Sequence, residues 1–139
     1  MLNSPSVTVQ TLVQAPLEKV WMYWIEPQHI QAWNAASDDW HTPHATNDLR
    51  VGGQFTFRME AKDKSMGFDF GGTYTDVVPQ KKIAYTMADG RKVEVTFEGT
   101  PEGIKIIETF DAEQDNSVEM QRRGWQAILD RFKGYSEKN

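Results

Sequence analysis

The most constraining feature of this sequence is a long central run of short segments in which apolar and polar residues alternate. In the first segment, Phe55, Phe57 and Met59 share one face, and polar side chains share the other. The period of two returns in four later segments, at residues 68–78, 83–87, 93–97 and 104–111. This period is typical of strands that bury one face. Connections such as Asp89-Gly90 are short enough to join only antiparallel neighbours, so the run predicts an antiparallel meander.

Helical patterns precede the meander. A strand predicted over residues 7–13 leads to Pro16, which fits the first position of a helix because the missing N–H is no loss there. Pro27 ends this helix, and a second short helix is predicted over residues 28–33. The first helix is indicated by a stripe at i, i+3 and i+4 spacing, formed by Leu17, Val20, Trp21, Trp24 and Ile25.

One long helix is predicted after the meander. Asn116 and Glu119 have the spacing of a capping box at its start. Gly124 either lets this helix approach the sheet closely or leaves room for a ligand. The order of strand, two helices, six strands and a long helix predicts an α+β domain with its helices on one face of the sheet. The apolar stripe of the long helix consists of Val118, Gln121, Trp125, Ile128, Leu129 and Phe132.

Two segments are less regular than the rest. Residues 35–48 are polar and predict a long loop with room for one short strand. The pair Gly71-Gly72 follows Phe70 and predicts a bulge or a bend in the strand there, because glycine weakens regular pairing.

Composition excludes several classes of function. The chain has no Cys, which excludes disulfides and cysteine-ligated metal sites. Its net charge is −5 and no basic run reaches four residues, so we expect no nucleic-acid partner. No apolar run approaches the roughly 20 residues of a membrane helix, and the N-terminal residues do not resemble a signal peptide. We therefore expect a soluble protein of the cytoplasm, without a membrane partner.

A set of short motifs occurs in a fixed order along the chain: Ala15-Pro16, Val20-Trp21, Trp33, residues 48–53, 55–60 and 67–74, Gln121, and Gly124-Trp125. In their order and spacing the chain resembles the Activator of Hsp90 ATPase homologue-like family of the START-like (SRPBCC) superfamily. The resemblance implies one helix-grip (Bet v 1-like) domain over residues 5–135. Such a domain has a curved antiparallel sheet of six or seven strands wrapped on a long C-terminal helix, with two short helices after the first strand.

The resemblance also implies a function for the hollow between sheet and helix. The superfamily uses it to bind lipids and hormones or to cyclise polyketides, so the first expectation is a small hydrophobic or aromatic ligand, with no cofactor. An Hsp90-type chaperone is a second implied partner. It ranks lower because the co-chaperone that names the family resembles this chain only in its C-terminal half. A polyketide-cyclase-like enzyme with Glu108 as acid or base ranks last.

Glu108 is the candidate with the clearest chemistry. It shares a face of its predicted strand with Ile104, Ile106 and Phe110. A carboxyl group held in a dry cavity has a raised pKa and can act as a general acid or base. Alternatively, Glu108 lies close enough to the strand end to reach solvent, or it pairs with an Arg or Lys.

The remaining candidates depend on which way their side chains point. Asp69 points away from the core if Phe68 and Phe70 point inward, unless the glycines that follow reverse the alternation. His41 and His44 lie on either side of Pro43, which argues against a helical metal site, so we expect no metal and place this loop at the rim. The aromatic candidates are either core or pocket wall. The predicted ligand-binding residues are Trp33, Trp40, His41, Phe57, Asp69, Tyr85, Glu108, Trp125 and Leu129.

Overall fold

One antiparallel sheet of seven strands, with three helices, forms the part of the chain that the computed structural model describes, residues 5–139. The spatial order of the strands is β1-β7-β6-β5-β4-β3-β2. The elements in chain order are β1 Ser6–Val13, α1 Leu17–Ile25, α2 Pro27–Trp33, β2 Trp40–Asn47, β3 Gln54–Ala61, β4 Gly67–Val78, β5 Lys82–Met87, β6 Lys92–Thr100, β7 Gly103–Asp111 and α3 Val118–Lys138.

The predicted meander and its flanking helices are confirmed. Strands β2 to β7 pair in sequence order, and β1 pairs with β7, the last strand. Helices α1 and α2 therefore carry the chain from the β1 edge of the sheet to the β2 edge. The sheet curls around α3, and α3 packs closely along β1. This is the α+β helix-grip arrangement that the order of elements and the family resemblance predicted.

Side chains from the three helices and the sheet fill one end of the hollow. The indole of Trp24 lies 5.1 Å from that of Trp33 and 4.9 Å from the ring of Phe132, measured between ring centroids. The Trp33 Nε1 group donates a hydrogen bond to the Tyr23 carbonyl oxygen at 2.9 Å, so its buried N–H is satisfied. The Trp24–Phe132 contact is edge-to-face, and contacts of this kind stabilise a packed core beyond the area they bury.

Residues 35–48, predicted as a long loop with room for one short strand, contain the strand β2, whose eight residues make it longer than predicted. Its pairing with β3 is irregular between His41 and His44, and Pro43 lies inside this irregularity on the sheet edge. Proline is tolerated at such positions because no ladder hydrogen bond is required of it. The bulge hides the alternation from sequence. Tertiary contacts hold the strand, among them the Thr42 hydroxyl donating to the Asn34 carbonyl oxygen at 2.6 Å.

The bulge predicted at Gly71-Gly72 is also wrong, because both residues pair with β3 in regular register. The irregularity of β4 falls between Tyr74 and Asp76, on its β5 side. The glycines permit close strand approach instead. A Cβ at Gly71 would lie 2.7 Å from the Phe55 carbonyl oxygen, and one at Gly72 would lie 2.6 Å from that of Thr86.

The helix starts differ from the predictions by one residue. Ser117, not Asn116, caps α3, and its Oγ accepts a hydrogen bond from the Met120 amide at 3.1 Å. Asn116 is held elsewhere, because its side-chain Nδ2 donates to the Glu113 carboxylate. Pro16 is the N-cap of α1 rather than its first residue, and Pro27 begins α2.

Gly124 leaves open space rather than permitting close approach, since a Cβ there would meet no atom within 4 Å. We expect Gly124→Ala to raise the free energy of unfolding by about 0.5–1 kcal/mol, because alanine loses less backbone entropy in a helix. Urea denaturation followed by circular dichroism measures the change.

Gly134→Ala is the matched variant, because a Cβ at Gly134 in the same helix also meets no atom within 4 Å, and it should stabilise similarly. Gly103→Ala is the opposite control. Its φ is +143° and an added Cβ would lie 2.6 Å from the Val13 carbonyl oxygen, so it should destabilise. A loss of stability in Gly124→Ala would show that the space beside α3 is not open.

Candidate functional site

An apolar cavity of about 310 Å³ lies between the curled sheet and α3. Its sheet wall consists mainly of inward-facing side chains of β3, β4 and β5, among them Phe55, Phe57, Phe70 and Tyr85. Its helix wall consists of Gln121, Trp125, Ile128 and Leu129. The strand period of two and the helical period of 3.6 thus bring two apolar faces together without filling the space between them.

Packing holds the aromatic wall in place. The Trp125 ring stacks on Phe110, with centroids 3.9 Å apart and an angle of 10° between the ring planes. Phe70 meets Trp125 edge-on at 6.0 Å, and Phe55 meets Tyr85 edge-on at 4.7 Å. Rings fixed by several neighbours lose little further entropy when a ligand binds, so the wall is preorganised.

Glu108 places a carboxyl group in this apolar surrounding. Its side chain is only 8% exposed, and its register partners on the two neighbouring strands are Val9 and Val95. Among residues 5–139, no side chain or backbone amide donates a hydrogen bond to its carboxyl group and no basic group pairs with it. Burial raises its pKa from 4.5 to about 8. The carboxyl group therefore keeps its proton at neutral pH, because the charged form is poorly solvated there.

Tyr85 places a second polar group in the cavity wall. Its side chain is buried, and no group in the described part of the chain forms a hydrogen bond with its hydroxyl. Burial raises the pKa of this hydroxyl well above its ordinary value, and the nearby Glu108 carboxyl adds to the effect. Glu108 and Tyr85 together give the apolar cavity two neutral groups that can each donate and accept hydrogen bonds.

Gln121 is a buried polar residue of the cavity lining. Its Oε1 accepts a hydrogen bond from the Glu113 amide at 2.8 Å, and its Nε2 donates to the carbonyl oxygens of Glu113 and Asn116 at 3.0 and 2.9 Å. The amide thus ties the segment between β7 and α3 to the helix. Gln121 was assigned no role from the sequence. Its signal is that it is the single polar residue in the apolar stripe of α3.

Six of the nine predicted ligand-binding residues line the cavity. They come together from β3, β5, β7, α2 and α3: Trp33, Phe57, Tyr85, Glu108, Trp125 and Leu129. Glu108 takes the inward orientation that the alternation favoured, with a side chain that is 8% exposed, and within residues 5–139 it pairs with no Arg or Lys.

The structure does not bring Trp40, His41 and Asp69 to the cavity. Asp69 alternates with Phe70 and points outward, where its carboxylate lies 3.5 Å from the Arg58 guanidinium. The His41 Nε2 lies 4.0 Å from the Glu60 carboxylate, and the Trp40 ring lies 6.0 Å from that of Phe68. These positions follow from strand alternation near the β2 edge.

Two further features bear on the kind of site. Within residues 5–139, no three His, Asp or Glu side chains lie close enough together to hold a metal ion. No helix in the same range combines the length and the apolar composition that a membrane crossing requires.

A curled antiparallel sheet that grips a C-terminal helix over an apolar cavity defines the helix-grip class of START-like domains. Residues 14–137 match the family model of the Activator of Hsp90 ATPase homolog 1-like proteins, and the chain belongs to this family.

Solved structures agree with this assignment. An AHSA1-like protein from Aeromonas hydrophila is 45% identical, with a TM-score of 0.91 over 96% of this chain and 93% of that protein. A protein from Cytophaga hutchinsonii is 51% identical, with a TM-score of 0.80 over 99% and 94% of the two chains. A protein from Nitrosomonas europaea is 17% identical with a TM-score of 0.83, and it shares the fold. Comparison with curated protein sequences gives no match.

The raised pKa of Glu108 makes stability depend on pH. Below its unfolded pKa of 4.5 both states carry the proton, and between about 4.5 and 8 only the folded state does. Stability should fall over this range by about 1.4 kcal/mol per pH unit and level off above it. We expect Glu108→Gln, which cannot ionise, to match the wild type near pH 5 and to exceed it increasingly towards pH 8 in urea denaturation.

Glu98→Gln is the matched control, since it removes the same charge from an exposed position of β6. Its denaturation midpoint should follow that of the wild type across the pH range. Parallel pH profiles for the wild type and Glu108→Gln would contradict the assignment of a neutral, buried Glu108.

Proposed function

We propose that this protein binds a small, largely aromatic molecule with one polar group in the cavity between the sheet and α3. The observation that carries the proposal is Glu108, whose carboxyl group faces a mainly apolar cavity and has no hydrogen-bonding partner among residues 5–139. The cavity volume of about 310 Å³ lies at the lower end of the range for small-molecule sites. A ligand the size of one or two fused rings suits such a volume.

The polar groups of the cavity wall support a ligand with a polar group. Among residues 5–139, no protein group forms a hydrogen bond with the Glu108 carboxyl or the Tyr85 hydroxyl, and both residues line the cavity. A hydroxyl, carbonyl or amine of a ligand can therefore form hydrogen bonds with them. The aromatic wall supplies the remaining affinity, because Phe57, Phe70 and Trp125 are only partly buried by the protein itself and can cover the flat face of a ring.

The proposal is tested with 2-naphthylmethanol, a neutral molecule with two fused rings and one hydroxyl, titrated into ¹⁵N-labelled protein. The chain has five Trp residues, so its indole N–H signals report on separate places. We expect the signals of Trp33 and Trp125, which line the cavity, to shift, and that of Trp40, outside it, to stay constant. Shifts confined to Trp40, or no shifts at all, would contradict the proposal.

A matched pair of variants separates the cavity from the rest of the surface. Ile128→Phe adds volume inside the cavity and should weaken binding about tenfold or more, because the larger ring occupies the ligand's space. Ile107→Phe makes the same change on the opposite face of β7 and should leave binding unchanged. Equal affinities for the two variants would place the bound molecule outside the cavity.

Acid–base catalysis by Glu108 is a second candidate function, favoured by one observation. Burial brings its pKa to about 8, close to neutral pH, where a general acid or base works best. A suitable reaction is proton removal from the carbon next to a ketone. The test is hydrogen–deuterium exchange of 2-tetralone followed by NMR. Exchange faster than in buffer with the wild type but not with Glu108→Gln would support catalysis, and equal rates would exclude it.

A further inference from the structure

We infer that the molecule held in the cavity is an organic amine, bound as its ammonium ion with the charge next to Glu108 and against the faces of the surrounding rings. The inference rests on the proposed function and adds the chemical class of the ligand. Three observations support it. No protein group among residues 5–139 pairs with Glu108, aromatic rings surround the cavity, and the one basic residue of the described cavity lining, Arg91, pairs with Asp89.

Three other ionisable groups that line the cavity form hydrogen bonds with residues other than Glu108. The Tyr74 hydroxyl donates a hydrogen bond to the Asn47 side chain. The Arg91 Nε donates to the Asp89 carboxylate at 2.8 Å. The Glu113 carboxylate accepts from the Asn116 amide at 2.6 Å.

The side chains that neighbour Glu108 on β1, β6, β5 and α3 carry no charge. Its neighbours on β1 and β6 are Val9 and Val95, and β5 contributes the neutral hydroxyl of Tyr85. The cavity-facing residues of α3, Gln121, Trp125, Ile128 and Leu129, are uncharged. Within residues 5–139, no cationic group pairs with Glu108, so the position beside its carboxyl group is available to the ammonium group of a ligand.

The aromatic wall favours a cation over a neutral or an anionic head group. The faces of aromatic rings attract cations, most strongly where water is excluded. Phe57, Phe70, Tyr85 and Trp125 supply such rings around the same space. An ammonium group would therefore interact with the carboxylate and with the rings, whereas an alcohol would only form hydrogen bonds. A carboxylate would be repelled by an ionised Glu108 and poorly solvated beside a neutral one.

Charge and proton balance support this assignment. The net charge of the chain is −5, which favours the approach of a cation. Burial keeps Glu108 protonated at neutral pH, so an ammonium ion can bind as an ion pair only when this proton leaves to solvent. Binding of the amine should therefore release one proton below about pH 8, and its affinity should rise with pH.

The experiment compares three molecules that share one ring system and differ in the head group: 2-naphthylmethylamine, 2-naphthylmethanol and 2-naphthoate. Calorimetry at about pH 6, 7 and 8 should show tightest binding for the amine, then the alcohol, then the acid. The affinity for the amine should rise by about tenfold from pH 6 to 7 and by about fivefold from pH 7 to 8, because one proton is released until the pH reaches the pKa of Glu108. The alcohol should show no such rise.

Two variants test whether Glu108 is responsible. Glu108→Gln keeps the shape of the side chain and removes its charge, so it should abolish the preference for the amine over the alcohol and the rise with pH. Glu98→Gln removes a charge from the exposed face of β6 and should keep both. Calorimetry in buffers of different ionisation enthalpy measures the number of protons released when the amine binds. We expect one proton to be released with the wild type and none with Glu108→Gln.

The outcomes separate this inference from the proposed function. Binding of the alcohol in the cavity, with the amine no tighter or the acid tightest, would overturn the amine assignment and leave the binding function standing. An amine preference that persists in Glu108→Gln would also overturn it. Failure of all three molecules to bind would overturn both.

Discussion

The pairing of β1 with β7 is the contact on which the rest of the structure depends. It joins Ser6 to Asp111 and Val13 to Ile104, across most of the length of the chain, so its loop-closure cost is large and must be offset by the packing it permits. Once β1 lies on this edge, α1 and α2 must cross to the opposite edge to reach β2. The same pairing also provides the strand to which α3 is fastened.

Hydrogen bonds fasten α3 to β1. The Lys133 Nζ donates to the Leu12 carbonyl oxygen at 2.6 Å, and the Gln126 Nε2 donates to that of Gln10 at 3.1 Å. Because the helix lies close to β1, its side chains must span the distance to β3, β4 and β5. Trp125 spans part of it by stacking on Phe110. The cavity is the volume between α3 and these strands that side chains do not occupy. Its position therefore follows from the attachment of α3 to β1.

Much of the fold was accessible from the sequence because its signals are local. The period of two on β3 to β7 and the stripe of α3 each depend on neighbours within one element. The position and length of strand β2 could not be predicted, because a bulge around Pro43 breaks its alternation and Thr42 is held by Asn34, which lies outside the strand. The cap of α3 was misplaced for a similar reason. Asn116 and Ser117 both suit a helix start, and Glu113 decides between them by binding Asn116.

The sequence by itself determined that Glu108 and Phe110 share one face of a strand, that Asp69 and Phe70 take opposite faces, and that the chain resembles the family to which it belongs. These properties follow from the fixed geometry of a single strand and from the order of motifs. Only the tertiary structure decided which inward-facing side chains border the cavity and which pack in the core. Phe132 fills the core while Phe57 borders the cavity, although both were predicted to face inward. The physical reason is that an empty volume depends on the distance between α3 and each strand, which arises from contacts far apart in the chain.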